Sequence, residues 1–363
     1  MAKVEEYRSC RRELGDGLVL KTAAVEADIE RFAALDKAVF DESVFELRRR
    51  LFLYHPDTKL NNLIFVEEEK TGEIASTICL IPWKWHYEEV TLKVGEMGIV
   101  GTLEPYRHRG LIRAQVSYFK ELLAEGEFDL SNIQGIPYFY RQFGYEYAIP
   151  LGRWWRVELR QIPDAVDGEI SRFACRPATS ADLPALKHLY DEAAQDLAIH
   201  TCRDDAVWQY LAEHNLNSTT CTASEWWIVE NEGGEASGYF WVDRHSSDAF
   251  KVHEVSRLSY DSALSVLRHL KKLATERGKP DIPLELPSNC TLVQVAQYYG
   301  VTESGVYAWQ IHIPDMARFL RKIAPALERR LDSSPFAGLT EKVRFDFYRE
   351  NVVLHFVNGR LAQ

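Results

Sequence analysis

Apolar and polar positions along the chain change period several times, and each change marks a predicted element. Leu18–Ala23 reads as a short strand. Over Asp28–Phe40 the apolar residues Ile29, Phe32, Ala33, Leu35 and Val39 recur at helical spacing. Asn62–Glu67 and Ile74–Ile81 read as a hairpin around Lys70-Thr71-Gly72, and Val90–Thr102 contains a further strand. Gly110–Ala124 predicts an amphipathic helix with Ile112, Val116, Phe119 and Leu123 on one stripe. Phe128–Ile133 is a short strand, and Tyr138–Phe143 a short aromatic helix or turn.

After a Pro-, Gly- and acid-containing linker at Gln161–Gly168 the order of elements starts again. Ser171–Arg176 predicts a strand, and Ser180 caps a helix over Ala181–Ala193. Trp226–Glu230 and Ala236–Val242 pair around Glu232-Gly233-Gly234. Ser262–Arg277 is helical, and Val293–Tyr299 is a helix closed by Gly300. Beyond Pro314 a helix over Asp315–Leu331 precedes two alternating strands, Lys342–Tyr348 and Val352–Val357, with Glu350-Asn351 at their turn. A helix and two strands make a poor core alone. The expected units are therefore 1–160, 169–312 and 313–363.

With 363 residues the chain exceeds one ordinary domain. No apolar run approaches the roughly 20 residues of a membrane span, and the charged start MAKVEEYRSCRRELGDG lacks the apolar stretch of a secretion signal. Cys10, Cys79, Cys175, Cys202, Cys221 and Cys290 are scattered without a CxxC pair, which suits a reduced cytoplasm better than disulfides or a metal site. The net charge of −11 argues against general nucleic-acid binding. It suits cationic substrates such as amines, although acidic balance is common.

Against that acidic background, positive charge gathers in Gly98–Arg113, GIVGTLEPYRHRGLIR. A strand runs into a turn, and the turn opens the amphipathic helix. Gly110 lets a bound group approach the backbone. Free N–H groups and the helix dipole favour an anion such as a pyrophosphate there. The turn alone fits an ordinary solvated junction equally well.

A second stretch, Asn132–Glu146 (NIQGIPYFYRQFGYE), decides between them. Together, Arg107-His-Arg-Gly110-Leu-Ile112 and Phe139-Tyr-Arg-Gln-Phe-Gly-Tyr145 resemble the two signatures of the GNAT acetyltransferase superfamily, with Ile112 where the general pattern has Gly or Ala. The resemblance implies that the backbone amides of Arg109, Gly110, Leu111 and Ile112 bind the pyrophosphate of acetyl-CoA, assisted by Arg107 and His108. It implies that the strand Ile99–Thr102 pairs with the pantetheine arm, and that N–H groups near Val100 polarise the thioester carbonyl. The amine then attacks directly, without an acyl-enzyme. Tyr140 sits where the superfamily often places the general acid for the thiolate. It is also a packed aromatic in a Tyr-rich stretch. Glu96 and Glu104 are the candidate bases; each is otherwise a solvated acid.

Taken over nearly the whole chain, the pattern resembles the enhanced intracellular survival (Eis) acetyltransferases. That implies an α/β fold of mixed sheets: tandem GNAT-like domains followed by a partial sterol-carrier-like α+β unit. The turn motif R-x-R-G-L-(L/I)-R of that family maps onto Arg107–Arg113, and its residues facing the acetyl group map onto Val100 and Thr102. The second half lacks the phosphate turn: Val255–Ser262 (VSRLSYDS) has no glycine and a single Arg, as in a structural copy. A different fold for this half is the other reading. The resemblance further implies a homo-oligomer, a hexamer built from dimers, acting on a small-molecule or peptide amine, with no metal, nucleic-acid or membrane partner. A non-catalytic CoA- or lipid-binding protein is the alternative. Trp83 and Trp85, flanking Lys84, either line an amine pocket or pack an interface, packing being the simpler role.

Overall fold

The structure, a computed structural model, describes residues 10–40, 42–166, 171–216, 224–243, 250–347 and 351–362. Asp167 and Gly168 of the expected linker, Cys221, Tyr348, Glu350 and Gln363 lie outside the described residues.

In the first half, β1 (Arg11–Gly15) and β2 (Leu18–Thr22) lead to three helices, α1 (Ala27–Glu30), α2 (Ala33–Val39) and α3 (Glu42–Tyr54). Then come β3 (Leu63–Glu68), β4 (Glu73–Tyr87), β5 (Val90–Thr102), α4 (Leu111–Glu125), β6 (Leu130–Ile133) and β7 (Glu146–Glu158). The single helix expected over Asp28–Phe40 is two short ones, and α3 is an addition to the predicted elements. Its run Arg48-Arg49-Arg50 disguises the buried face. Arg48 is fully buried because Asp36 of α2 accepts from its Nε and Nη2 (2.8 and 2.6 Å) and Phe32 covers it.

Both sheet faces are covered. Leu111, Val116, Phe119 and Leu123 of α4 pack on Ile64, Ile78, Leu80 and Met97. On the other face Ile29, Phe32, Leu35 and Leu51 pack on Phe65, Cys79 and Ile81.

The second half contains β8 (Ala174–Pro177), α5 (Leu183–Ala194), β9 (Ile199–Thr201), α6 (Asp205–Leu211), β10 (Ser224–Glu230) and β11 (Ala236–Asp243). It continues with β12 (Val252–Val255), α7 (Tyr260–Glu276), β13 (Asp281–Leu286), α8 (Thr291–Tyr298) and β14 (Glu303–His312). Thr179, not Ser180, makes the capping box ahead of α5, with Asp182 accepting from its N–H (2.8 Å).

The two halves exchange strands. One 14-stranded sheet runs β1-β2-β3-β4-β5-β6-β14-β7-β13-β12-β11-β10-β8, with β9 pairing to β4. β14 inserts between β6 and β7, with Gln310–His312 against Ser131–Ile133. β7 in turn completes the second half by pairing Arg153–Glu158 with Asp281–Leu286. Each half also holds one parallel pair, β5–β6 and β12–β13, and each parallel pair flanks a strand–turn–helix junction. β7 hides from a periodicity reading because Pro150 interrupts it, at an irregularity in its register with β14.

The last segment holds α9 (Met316–Lys322), α10 (Ala324–Asp332) and a separate sheet of β15 (Lys342–Asp346), β16 (Asn351–Val357) and β17 (Arg360–Leu361). The helix expected over Asp315–Leu331 breaks at Ile323, where Pro325 opens α10. Ile323 packs with Trp85, Val90, Leu92 and Leu130, so this segment leans on the first half. No helix among the described residues is long and apolar enough to cross a membrane.

Candidate active site

β5 carries a bulge where its chemistry is expected. Register against β4 runs from Thr77↔Gly101 to Cys79↔Gly98, so two residues, Ile99 and Val100, oppose Ile78 alone. Ile99 takes a positive φ of 46°, rare for a β-branched residue. The extra residue frees backbone groups from the ladder and re-aims the strand. Ile99 joins the cluster beneath α1–α3, while Val100 joins the α4 side. Arg48 brackets the bulge from behind, donating to Thr77 Oγ1 (3.2 Å) and Cys79 Sγ (3.3 Å).

β5 and β6 pair in parallel only over Val94–Glu96 and Leu130–Asn132. Beyond that β5 continues to Thr102 while β6 ends at Ile133, which opens a slot between them. At its mouth lies the turn Arg107–Gly110. His108 and Gly110 both adopt left-handed backbone, φ 63° and 78°. No side chain caps α4, and its first helical bond runs from Ala114 N–H to the Gly110 carbonyl (3.1 Å). The N–H groups of Gly110, Leu111, Ile112 and Arg113 thus have no acceptor within the helix. A nest of this kind with a helix dipole behind it favours a phosphate. A Cβ on Gly110 would meet no atom within 4 Å, so the space over it is open.

A buried polar lock sets α4 against β5. Gln115 Oε1 accepts from Ser76 Oγ (2.6 Å), Ser76 Oγ lies 2.8 Å from Thr102 Oγ1, and Gln115 Nε2 donates to the Ile64 carbonyl (3.2 Å).

A cavity of about 860 Å³ joins these parts. Val100, Thr102, Arg107, His108, Gly110, Leu111, Ile112 and Tyr140 of the expected residues line it, together with Arg113, Phe139 and Gln142. Ile99 and Arg109 do not: Ile99 faces the opposite cluster, and the Arg109 side chain reaches toward Asp16 (3.4 Å). Arg109 contributes its backbone to the turn.

Tyr140 lies on a short 3₁₀ turn, Phe139–Phe143, and is 5% exposed. Burial, with the nearby Tyr307, pushes its phenol up to about 12. The ring rests on Gly135, where a Cβ would stand 2.0 Å from Tyr140 Cε2.

Glu96 does not line this cavity; it belongs to the face of the sheet that carries α1–α3. It is half-buried, and burial raises its carboxyl to about 7, opposed by a hydrogen bond from Trp83 Nε1 (2.7 Å). Trp83 meets His55 edge-on (4.9 Å), and His55 meets Tyr210 of α6 (5.2 Å). Trp85 packs in the core beside Ile323. Glu104 is exposed on a surface turn.

The family model for an acetyltransferase (GNAT) domain matches residues 22–148. Residues 22–148 form a GNAT acetyltransferase domain. This span covers the bulge, the phosphate turn and Tyr140. No curated protein matches the chain. Among solved structures, a GCN5-related N-acetyltransferase from Anabaena variabilis aligns over 95% of this chain and 84% of its own, with TM-score 0.65 and 16% identity. A probable N-acyltransferase from Enterococcus faecalis aligns over 84% and 75%, with TM-score 0.64 and 16% identity. Eis1 from Mycobacterium abscessus aligns over 84% and 76%, with TM-score 0.53 and 16% identity. These likenesses are of fold, and they extend well beyond the GNAT domain into the second half.

The second half presents a matching junction, β12 to α7, but without the acetyltransferase domain's open turn. Ser259 caps α7 with its own side chain, accepting from the Ser262 N–H (3.1 Å). The donors left free at Gly110 are partly used here.

Sequence reasoning missed Ser76, Gln115, Gly135, Tyr307 and Gln310. Gln115 sits on the buried stripe of α4 as a lone polar residue, a signal that was legible. Tyr307 and Gln310 arrive on β14 from the second half, and no local pattern points to them.

Proposed function

We propose that the chain transfers the acetyl group of acetyl-CoA to a primary amine, of aminoglycoside, polyamine or lysine type, by direct attack within a ternary complex. The observation that carries this reading is the left-handed, uncapped turn at Gly110 opening into the same cavity as Val100 and Tyr140. Acetyl-CoA supplies an activated thioester.

Backbone N–H groups of Gly110–Ile112 hold its diphosphate, with Arg107 and His108 adding positive charge. The free edge of β5 from Val100 to Thr102 takes the pantetheine arm, and an N–H at the bulge faces the thioester oxygen, where negative charge develops. The Tyr140 hydroxyl has no protein hydrogen-bond partner among the described residues. Its high pKa keeps it protonated at neutral pH, so it is able to give its proton to the departing sulfur. Glu96, with a value of about 7, is half ionised near neutrality; set on the other face of β5 from the cavity, it takes the proton of the attacking ammonium through water.

The test is acetyl-CoA turnover on a panel of aminoglycosides, polyamines and lysine peptides, comparing the parent with Tyr140→Phe and Gly110→Glu. Loss of turnover in both variants, with loss of acetyl-CoA binding only in Gly110→Glu, supports the reading. A protein that binds CoA yet acetylates no amine on the panel belongs to the non-catalytic alternative.

A further inference from the structure

The second half reaches the first half's chemistry through β14. Tyr307 Oη donates to the Gly135 carbonyl, and Gln310 Nε2 donates to the same carbonyl (3.2 Å) and to Tyr307 Oη (3.3 Å). Gln310 is fully buried. Gly135 is the residue on which the Tyr140 ring lies, so close that a methyl there would overlap it. Two residues further along β14, His312 Nδ1 lies 3.1 Å from the Gly144 carbonyl, and its ring packs against Tyr145 (5.3 Å). Burial and the nearby Lys120 push the His312 imidazole down to about 4, so it is neutral at ordinary pH and donates from Nδ1 to that carbonyl. Both ends of the segment Gly135–Gly144 are therefore tied to one strand that the second half supplies.

We infer that Tyr307 and Gln310 are positioning residues that fix Tyr140 by clamping the Gly135 carbonyl, which makes the second half an integral part of the acetyl-transfer site. The clamp restrains a backbone group that no ladder bond holds: β6 ends at Ile133 and its last partner on β14 is Gln310 itself. Without the two donors the carbonyl loses both protein partners, and the floor under Tyr140 is free to shift. Proton delivery to a thiolate depends steeply on donor position; a displacement near 1 Å costs on the order of 100-fold. The substrate cradle at Gly110 is built from other elements and does not depend on this clamp.

This inference rests on Tyr140 acting as the acid, and the experiment separates the two. Steady-state kinetics of the full chain are measured for the parent, Tyr140→Phe, Tyr307→Phe, Gln310→Met, Tyr307→Phe/Gln310→Met and Tyr140→Phe/Tyr307→Phe. Thermal melts confirm that each variant is folded. The expected result is a fall in kcat of about tenfold for each single clamp variant and about 100-fold for the pair. KM for acetyl-CoA stays within about twofold. In the Tyr140→Phe background, Tyr307→Phe produces no further loss, because a misplaced donor matters only if a donor is present.

If Tyr140→Phe is impaired but Tyr307→Phe and Gln310→Met turn over like the parent, the clamp is overturned and the acid reading stands. If Tyr140→Phe retains full turnover, the acid reading fails. Additive loss in Tyr140→Phe/Tyr307→Phe shows Tyr307 acting on its own account and overturns the positioning role. A rise in KM for acetyl-CoA that matches the fall in kcat/KM also overturns it, since the clamp would then shape the cradle.

Discussion

The protonation of Glu96 sets a measurable pH limit on turnover. Its carboxyl is half-buried, its one donor among the described residues is the Trp83 indole, and burial raises it to about 7 against the ordinary carboxylate value. Only the ionised form accepts a proton, so kcat should rise with pH through an apparent pKa near 7. At pH 6 about a tenth of Glu96 is ionised, whereas an unperturbed glutamate would be almost fully ionised. Trp83→Phe removes the donor that stabilises the carboxylate. A hydrogen bond to a charged group contributes about 1.5–3 kcal/mol, roughly one to two pKa units, so the acid limb should move above pH 8. Glu96→Gln should abolish that limb and lower kcat about 100-fold at pH 7. The deficit should shrink at high pH, where the free amine needs no base. The assay is initial-rate release of CoA thiol between pH 5.5 and 9.5 at saturating acetyl-CoA and amine. An acid limb that stays near pH 7 in both Glu96→Gln and Trp83→Phe would refute the assignment, because it would then belong to another group.

The same carboxyl has a stability signature. Its folded value lies above its unfolded one, so the folded protein binds the extra proton between pH 4.5 and 7, and stability falls as pH rises through that window. Urea unfolding should show Glu96→Gln removing that slope and gaining up to about 3 kcal/mol over the parent at pH 8. Asp36→Asn leaves the buried Arg48 guanidinium uncompensated and should cost about 3–5 kcal/mol in the same assay; a loss below 1 kcal/mol would mean the pair is dispensable. Gly135→Ala forces the Tyr140 ring away and should reduce kcat on the order of 100-fold while acetyl-CoA binding persists. Sedimentation velocity tests the homo-oligomer that the Eis resemblance implies: a hexamer is expected, and a monomer at micromolar concentration would contradict it.

Several elements were legible because local pattern and tertiary role agree. The stripe of α4 is apolar and buried, and the turn before it is basic and glycine-containing, so helix, slot and site residues read off one stretch. What stayed hidden involves residues whose role contradicts their type. Arg48 sits in the core because Asp36 neutralises it, so α3 looked polar along the buried face. β7 carries Pro150 inside a strand. The exchange of β7 and β14 joins residues more than a hundred positions apart, and no window along the chain contains both. Ile99 and Val100 were both expected along the pantetheine edge; the bulge sends the two to opposite faces, and only Val100 reaches the cavity. Glu96 was legible as an acid on the right strand, but its environment depends on Trp83, which the strand pairing brings beside it.

Everything in the functional account depends on the free amide hydrogens at the start of α4. Isothermal titration of CoA into the parent and into Gly110→Glu tests them most directly, with 3′-dephospho-CoA and desulfo-CoA run alongside to confirm that the diphosphate dominates. The expected result is micromolar binding by the parent that survives loss of the thiol and is weakened at least 100-fold by the carboxylate placed over the turn. Binding that is equally tight in Gly110→Glu, or absent in the parent, would contradict it.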